Sequence, residues 1–160
     1  MSKQLRPNIE LIPVIIGSGE DGEEKTCEQY NFFYDKFPNK PLSQKWEYGI
    51  KLTQSMNLDA VVILGSDDFV NQNLFLLYKN LLINGVHFGG FKDAYFLDMN
   101  NVSNKLIFWN GYGSSSRCLG QPHRLGEAIG MARLLSRSLL DELDYSLWPE
   151  VYINSGLDLH

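Results

Sequence analysis

The segment "DAVVILGSDDFVNQ" (residues 59–72) constrains the fold more than any other part of the sequence. Its apolar run at 61–64 predicts a strand that is buried on both faces. A Gly-Ser pair follows, and then two adjacent carboxylates, Asp67 and Asp68. The sequence therefore predicts a core strand that delivers two like charges to one point at its carboxyl end.

Strands and helices alternate along most of the chain, as judged from apolar periodicity and from Gly and Pro positions. The pattern predicts strands at 10–17, 60–64, 89–98 and 105–112, and helices at 24–34, 43–56, 71–83 and 126–143. Ser43 is the expected N-cap of the second helix. The strands at 89–98 and 105–112 are expected to pair antiparallel. This order predicts an α/β fold, a three-layer sandwich with a mixed, mainly parallel sheet.

Length and composition favour one packed domain over residues 1–160, because 44% of the residues are hydrophobic. The net charge of -5 argues against nucleic-acid binding through a broad basic surface. The two cysteines, Cys27 and Cys118, fit no zinc-ligand spacing. No leader segment or membrane span is evident. We therefore expect a soluble, cytoplasmic domain.

The acidic pair has two interpretations. One aspartate could cap the helix that begins near Asn71, but this explains only one of the two. Alternatively, a divalent cation relieves the repulsion between the carboxylates, and such oxygens suit Mg²⁺ or Mn²⁺. In open α/β sheets ligands bind beyond the carboxyl ends of the strands, which is where the pair lies.

The loop "GYGSSSRCLGQPHR" (111–124) also has two interpretations. It could be a solvated surface loop, or a lid whose cations, Arg117 and Arg124, stabilise an anionic leaving group. His123 is a further candidate metal ligand. Trp109 directly precedes the loop, and its ring could stack on a sugar or a base.

The stretch from "KWEYGIKLTQ" to "GSDD" resembles the central part of glycosyltransferases with the glycosyltransferase A fold. These form the nucleotide-diphospho-sugar transferase superfamily, and the likeness is to family 2-like members. Lys45 and Gly49 match a helix that precedes the buried strand in that family, and Glu47 stands where Asn is common. Ser66, Asp67 and Asp68 match its acidic DxD motif, with Ser at the first position.

This resemblance implies roles for particular residues. Asp68 would be the metal ligand, helped by Asp67, and Mn²⁺ or Mg²⁺ would be the cofactor. The nucleotide-sugar donor, of UDP or GDP type, would be bound by residues of the motif, its helix and the following loop: Ser66, Asp67, Lys45, Arg117, Arg124 and Trp109. "NSGLD" resembles the position of the general base, which makes Asp158 the first candidate and Asp144 the second.

The implied activity is transfer of a sugar from the donor to an acceptor hydroxyl, with inversion. "IPVIIGSGED" resembles the second strand of that fold, so the resemblance also implies a shortened N-terminus. Two alternatives stay open: a non-catalytic binding or assembly module, and another metal-dependent enzyme acting on phosphate esters. A homo-oligomer or a completing partner chain is compatible with each of them.

Overall fold

The computed structural model describes residues 9–99, 105–113 and 124–148. The strands are β1 (Val14–Gly17), β2 (Phe33–Lys36), β3 (Ala60–Ile63), β4 (Phe88–Gly89), β5 (Ala94–Leu97), β6 (Leu106–Trp109) and β7 (Arg133–Ser136). The helices are α1 (Glu23–Gln29), α2 (Leu42–Leu52), α3 (Asn73–Ile83) and α4 (Arg137–Glu142), and a short 3-10 turn (Thr53–Ser55) follows α2. No helix in these ranges is long and apolar enough to cross a membrane.

The strands form three small sheets in a mixed α/β domain. β1 and β2 pair in parallel, whereas β3, β7 and β4 form an antiparallel sheet in that order, and β5 pairs antiparallel with β6. The antiparallel β5–β6 pair was expected from the sequence and is confirmed. The mainly parallel sheet is not confirmed, because β7 runs antiparallel between β3 and β4.

The predicted helix at 126–143 is wrong: this segment contains the central strand β7 and the short helix α4. Ala132 has a φ of 53°, a left-handed conformation that interrupts any continuous helix. Residues 132–136 are all buried, as expected of a strand with both faces covered. Arg133 and Arg137 therefore share no helix face, although Arg137 does pair with Asp141, as expected from their spacing.

The two faces of the central sheet carry separate hydrophobic cores. Leu135 of β7 packs in one cluster with Ile50 of α2 and Leu140 of α4. The adjacent Leu134 packs in the other cluster with Tyr78 of α3. Because successive strand residues point to opposite faces, α2 and α4 cover one face and α3 covers the other.

Helix α2 connects this sheet to the β1–β2 pair. A Cβ atom placed on Gly49 would lie 3.0 Å from Cγ1 of Ile16, so the helix backbone lies directly on β1. The next residue, Ile50, faces the core of the central sheet. The N-cap of α2 is Pro41, and the predicted cap, Ser43, is instead buried inside the helix.

The first helix is shorter than predicted and a strand follows it. α1 ends at Gln29, and Asn31 takes a left-handed φ of 55° before β2 begins. The aromatic residues at 32–34 were assigned to the helix because apolar runs this short fit either structure. The structure uses them to pair with β1.

A buried carboxylate on α2 anchors the last described segment of the chain. Glu47 is only 4% exposed. It accepts hydrogen bonds from Ser146 Oγ at 2.6 Å and from the amides of Leu147 and Trp148, each at 2.9 Å. Lys51 Nζ lies 3.1 Å from Oε1 of Glu47, the oxygen that also accepts from Ser146. These contacts join positions about a hundred residues apart in sequence and hold Trp148 in the core.

We expect Glu47→Ala to lower the free energy of unfolding by about 3 kcal/mol, because it leaves several buried donors without an acceptor. Chemical denaturation measures this loss. Glu28→Ala, on the exposed surface of α1, is the matched control and should change stability by less than about 0.5 kcal/mol. Equal effects of the two substitutions would contradict the anchoring role of Glu47.

The stabilisation by Glu47 should depend on pH. Burial raises its pKa, but the hydrogen bonds from Ser146, Trp148 and Leu147, together with Lys51, outweigh burial and bring the pKa below its ordinary value of 4.5. The ionised form therefore stabilises the fold fully above pH 4.5, and this contribution is lost as the pH falls through the lower, folded-state pKa.

The difference in unfolding free energy between the wild type and Glu47→Gln should thus be largest near neutral pH and shrink below pH 4.5. Urea denaturation at a series of pH values measures it, and other titrating groups cancel in the difference. A difference that stays constant down to strongly acidic pH would disprove the assignment.

Candidate functional site

The two adjacent carboxylates converge on one small space beside Gly65. The amide of Asp68 donates to the Gly65 carbonyl at 3.2 Å, which closes a tight turn after β3. The Gly65 amide donates in turn to Oδ2 of Asp68 at 2.8 Å. A Cβ atom on Gly65 would lie 3.1 Å from Oδ1 of Asp67 and 3.2 Å from Oδ2 of Asp68. Glycine thus leaves room for both carboxylates to approach the same point.

Neither aspartate caps the helix that follows. The N-cap of α3 is Gln72, which makes no side-chain capping bond. The amide of Asn73 is instead satisfied by Oδ1 of Asn71, at 2.9 Å. The capping interpretation of the acidic pair therefore does not hold. Asp68 is half-buried, and Asp67 is exposed and has no hydrogen-bond partner within the described part of the chain.

The topology brings other chain segments to this end of the central sheet. β3 and β4 both run antiparallel to β7, so their carboxyl ends lie where β7 begins. Arg133, the first residue of β7, pairs with Ile63 just before the acidic turn and is almost fully buried. Sequence reasoning missed this placement because Arg133 was assigned to a helix. The buried Arg133 side chain thus starts from the strand end that carries the two carboxylates.

Trp109 and Arg124, two predicted donor-binding residues, are brought together through Tyr112. The Trp109 and Tyr112 rings meet edge to face, with centroids 5.1 Å apart, and the Arg124 guanidinium lies 3.5 Å from the Tyr112 centroid. Arg124 is buried, and its Nε donates to Glu127 at 2.7 Å. Arg124 is therefore part of a packed cluster and is not a solvated cation.

This aromatic cluster lies against the segment that follows β4. Gly111, with a φ of 85°, approaches the Lys92 carbonyl so closely that no Cβ would fit there. Since Lys92 follows the carboxyl end of β4, the cluster and the acidic turn belong to the same end of the central sheet. The indole Nε1 of Trp109 is buried and finds no hydrogen-bond partner among the described residues.

Lys45 reaches a different loop. Its Nζ donates to Ser18 Oγ at 3.0 Å and to Asn39 Oδ1 at 3.2 Å, beyond the carboxyl ends of β1 and β2. Within the described residues its contacts are with this loop and not with the acidic turn. Ser66, the first position of the predicted motif, is exposed on that turn.

Asp144, one of the two predicted bases, lies on the surface after α4. Its φ is 51°, and its amide donates to the Asp141 carbonyl, so it belongs to the turn that ends the helix. No contact within the described ranges joins it to Asp67 or Asp68. The other predicted base, Asp158, lies outside the described residues, as do Arg117 and His123.

Sequence reasoning passed over Phe69, which directly follows the acidic pair. Its side chain is 93% exposed, whereas the next residue, Val70, packs into the core around Tyr78. The ring is thus presented to solvent from a backbone that is held by the turn on one side and by the core on the other. The signal in the sequence was an aromatic residue next to two carboxylates.

The acidic turn offers two carboxylates to a metal. In the described ranges no group of three or more His, Cys, Asp or Glu side chains has metal-binding geometry. Two carboxylates fit Mg²⁺ or Mn²⁺ bound together with water and phosphate oxygens, because such ions often take only one or two protein ligands. Comparison of the chain with protein-family models, curated proteins and solved structures finds no match.

Proposed function

We propose that this chain is a metal-dependent glycosyltransferase that moves a sugar from a nucleotide-sugar donor to an acceptor hydroxyl, with inversion. The convergence of Asp67 and Asp68 beside Gly65 carries the proposal. The proposal includes membership of the nucleotide-diphospho-sugar transferase superfamily, to which the "KWEYG" helix and the "GSDD" turn are similar. The donor would be of UDP or GDP type.

The position of Asp67 and Asp68 supports their role as the binding site of a cation–diphosphate complex. Helix packing fixes β3 on both faces, and the turn fixes the Asp68 carboxylate through the Gly65 amide, so little ordering is required on binding. A divalent ion held there would neutralise the charge that develops on the departing diphosphate. Asp68 would hold the ion directly, and the exposed Asp67 would orient a bound water or a ribose or sugar hydroxyl.

The remaining binding roles would fall to groups at the same sheet end, whereas the general base is the one that the resemblance implies. Arg133 begins β7 opposite Ile63, so its backbone lies at the strand end that carries the acidic turn. Trp109 would contact the donor from the side of β4, and its contact with Tyr112, on which Arg124 stacks, would support that role. Asp158, or alternatively Asp144, would take the proton of the acceptor hydroxyl as general base.

Isothermal titration with Mn²⁺ and uridine or guanosine diphosphate tests this function. Asp68→Asn should weaken metal-dependent nucleotide binding by at least about 10-fold, because a neutral amide is a poor ligand for a hard cation. The amide oxygen of Asn can still accept from Gly65, so the turn should survive. Asp59→Asn, at the opposite end of β3, is the matched control and should bind as the wild type does.

A folded wild-type protein that binds neither nucleotide in the presence of Mn²⁺ would overturn the proposed function and favour a non-catalytic module. Equal binding by Asp68→Asn and the wild type would show that the acidic pair is not part of the nucleotide-binding site. Metal-dependent release of phosphate from simple esters would favour the phosphate-ester enzyme instead.

We further assign the exposed ring of Phe69 to stacking on a ring of the bound donor. Stacking of this kind contributes about 1–3 kcal/mol, so Phe69→Ala should weaken donor binding by roughly 5- to 100-fold. Phe69→Tyr retains the ring face and should bind normally. Since the side chain is 93% exposed, thermal unfolding should be unchanged in both variants. Unchanged donor affinity in Phe69→Ala would contradict the assignment.

A further inference from the structure

The β5–β6 hairpin is built entirely from apolar residues. Its strands read "AYFL" and "LIFW" and pair antiparallel, with no charged side chain in either and only the Tyr95 hydroxyl and the Trp109 indole nitrogen as polar side-chain atoms. Soluble proteins normally protect such edge strands with charges, bulges or a covering element. A two-stranded ribbon of this kind is also only marginally stable by itself in water.

One face of this hairpin is open along its whole length. Cross-strand partners share a face, which places the Tyr95–Phe108 pair beside the Leu97–Leu106 pair. These four side chains are 65%, 46%, 50% and 63% exposed, respectively. The opposite face is covered only at one end, by the buried Ala94 and the half-buried Trp109, whereas its Phe96 and Ile107 are 55% and 53% exposed. We call the face of Tyr95, Leu97, Leu106 and Phe108 the open hairpin face.

The open hairpin face and the exposed Met99 beyond it present about 600 Å² of apolar surface, if a large apolar side chain contributes about 200 Å² when fully exposed. This is at the upper end of the largest patches on monomeric proteins, about 300–600 Å². Two copies packed on each other would bury about 1,200 Å², which is at the lower end of the size range of specific interfaces.

We propose that the open hairpin face is the contact surface of a homodimer, in which two copies pack these faces against each other across a two-fold axis. The area that two copies would bury is large enough for a specific interface, which supports a second copy as the partner. The face also carries no charge, so two copies would meet apolar surface to apolar surface. Asp98 and Lys105, the next residues along the two strands, belong to the opposite face, so no charge interrupts this contact surface.

Light scattering coupled to gel filtration tests this directly on the full chain. At about 100 µM the wild type should approach twice the monomer mass of 18.3 kDa, and at about 1 µM it should fall toward the monomer, as expected for a dissociation constant on the order of 10 µM. Leu97→Glu and, separately, Leu106→Glu should remain monomeric at the higher concentration. Circular dichroism checks that each variant is folded.

Leu77→Glu on α3 is the matched control, because Leu77 is 49% exposed and Leu97 is 50% exposed. This variant should dimerise as the wild type does. A wild type that is monomeric at about 100 µM would overturn the proposal and would indicate another occupant, such as residues 149–160 of the same chain or a different protein. Dimers that persist in the folded hairpin variants, or that are lost equally in Leu77→Glu, would also overturn it.

Discussion

The buried carboxylate of Glu47 is the constraint on which much of the structure depends. A charge removed from water this thoroughly is tolerated only when its oxygens are fully hydrogen-bonded, and Ser146, Leu147 and Trp148 supply those bonds. The requirement ties α2 to a segment about a hundred residues later. The neighbouring Gly49 and Ile50 extend the same helix to β1 and to the central sheet. One helix therefore fixes the relative positions of two sheets and of the chain that follows α4.

With the central sheet held in this way, the sheet end at which β3 and β4 finish and β7 begins is held rigidly. The Asp67–Asp68 turn, the buried Arg133 and the Trp109–Tyr112–Arg124 cluster all belong to that end. The two carboxylates of the turn suit a ligand that combines a cation with a diphosphate. The exposed ring of Phe69 adds an apolar surface next to the charged turn. The proposed glycosyltransferase activity would use these features together with a general base.

The sequence predicted the parts of the fold in which local pattern and tertiary role agree. The strand β3, the helix α3 and the β5–β6 pair were predicted correctly, and so was the placement of Asp67 and Asp68 after β3, although β3 is only half-buried along its length. β7 was missed because residues 129, 132, 135 and 139 are apolar at helical spacing. In the structure the consecutive residues 133–136 are all buried, which is typical of a strand covered on both faces. Only the pairing with β3 and β4, a long-range contact, decides between these structures.

The site was likewise predictable only where it is local. The two carboxylates and Trp109 could be identified from their neighbours in sequence. The position of Arg133, the stacking of Arg124 on Tyr112 and the contact of Lys45 with Ser18 depend on chain segments that come together only in the folded state. The role of Glu47 was also hidden, because its partners lie at 146–148, in a tail that carries no regular pattern.

The most direct measurement is the anomalous diffraction of Mn²⁺ in crystals grown with Mn²⁺ and uridine diphosphate. A peak about 2.1–2.2 Å from a carboxylate oxygen of Asp68, with diphosphate oxygens completing the shell, is the predicted result. Well-ordered crystals with the nucleotide bound but no manganese at the Asp67–Asp68 turn would contradict the assignment of this turn as the cation seat.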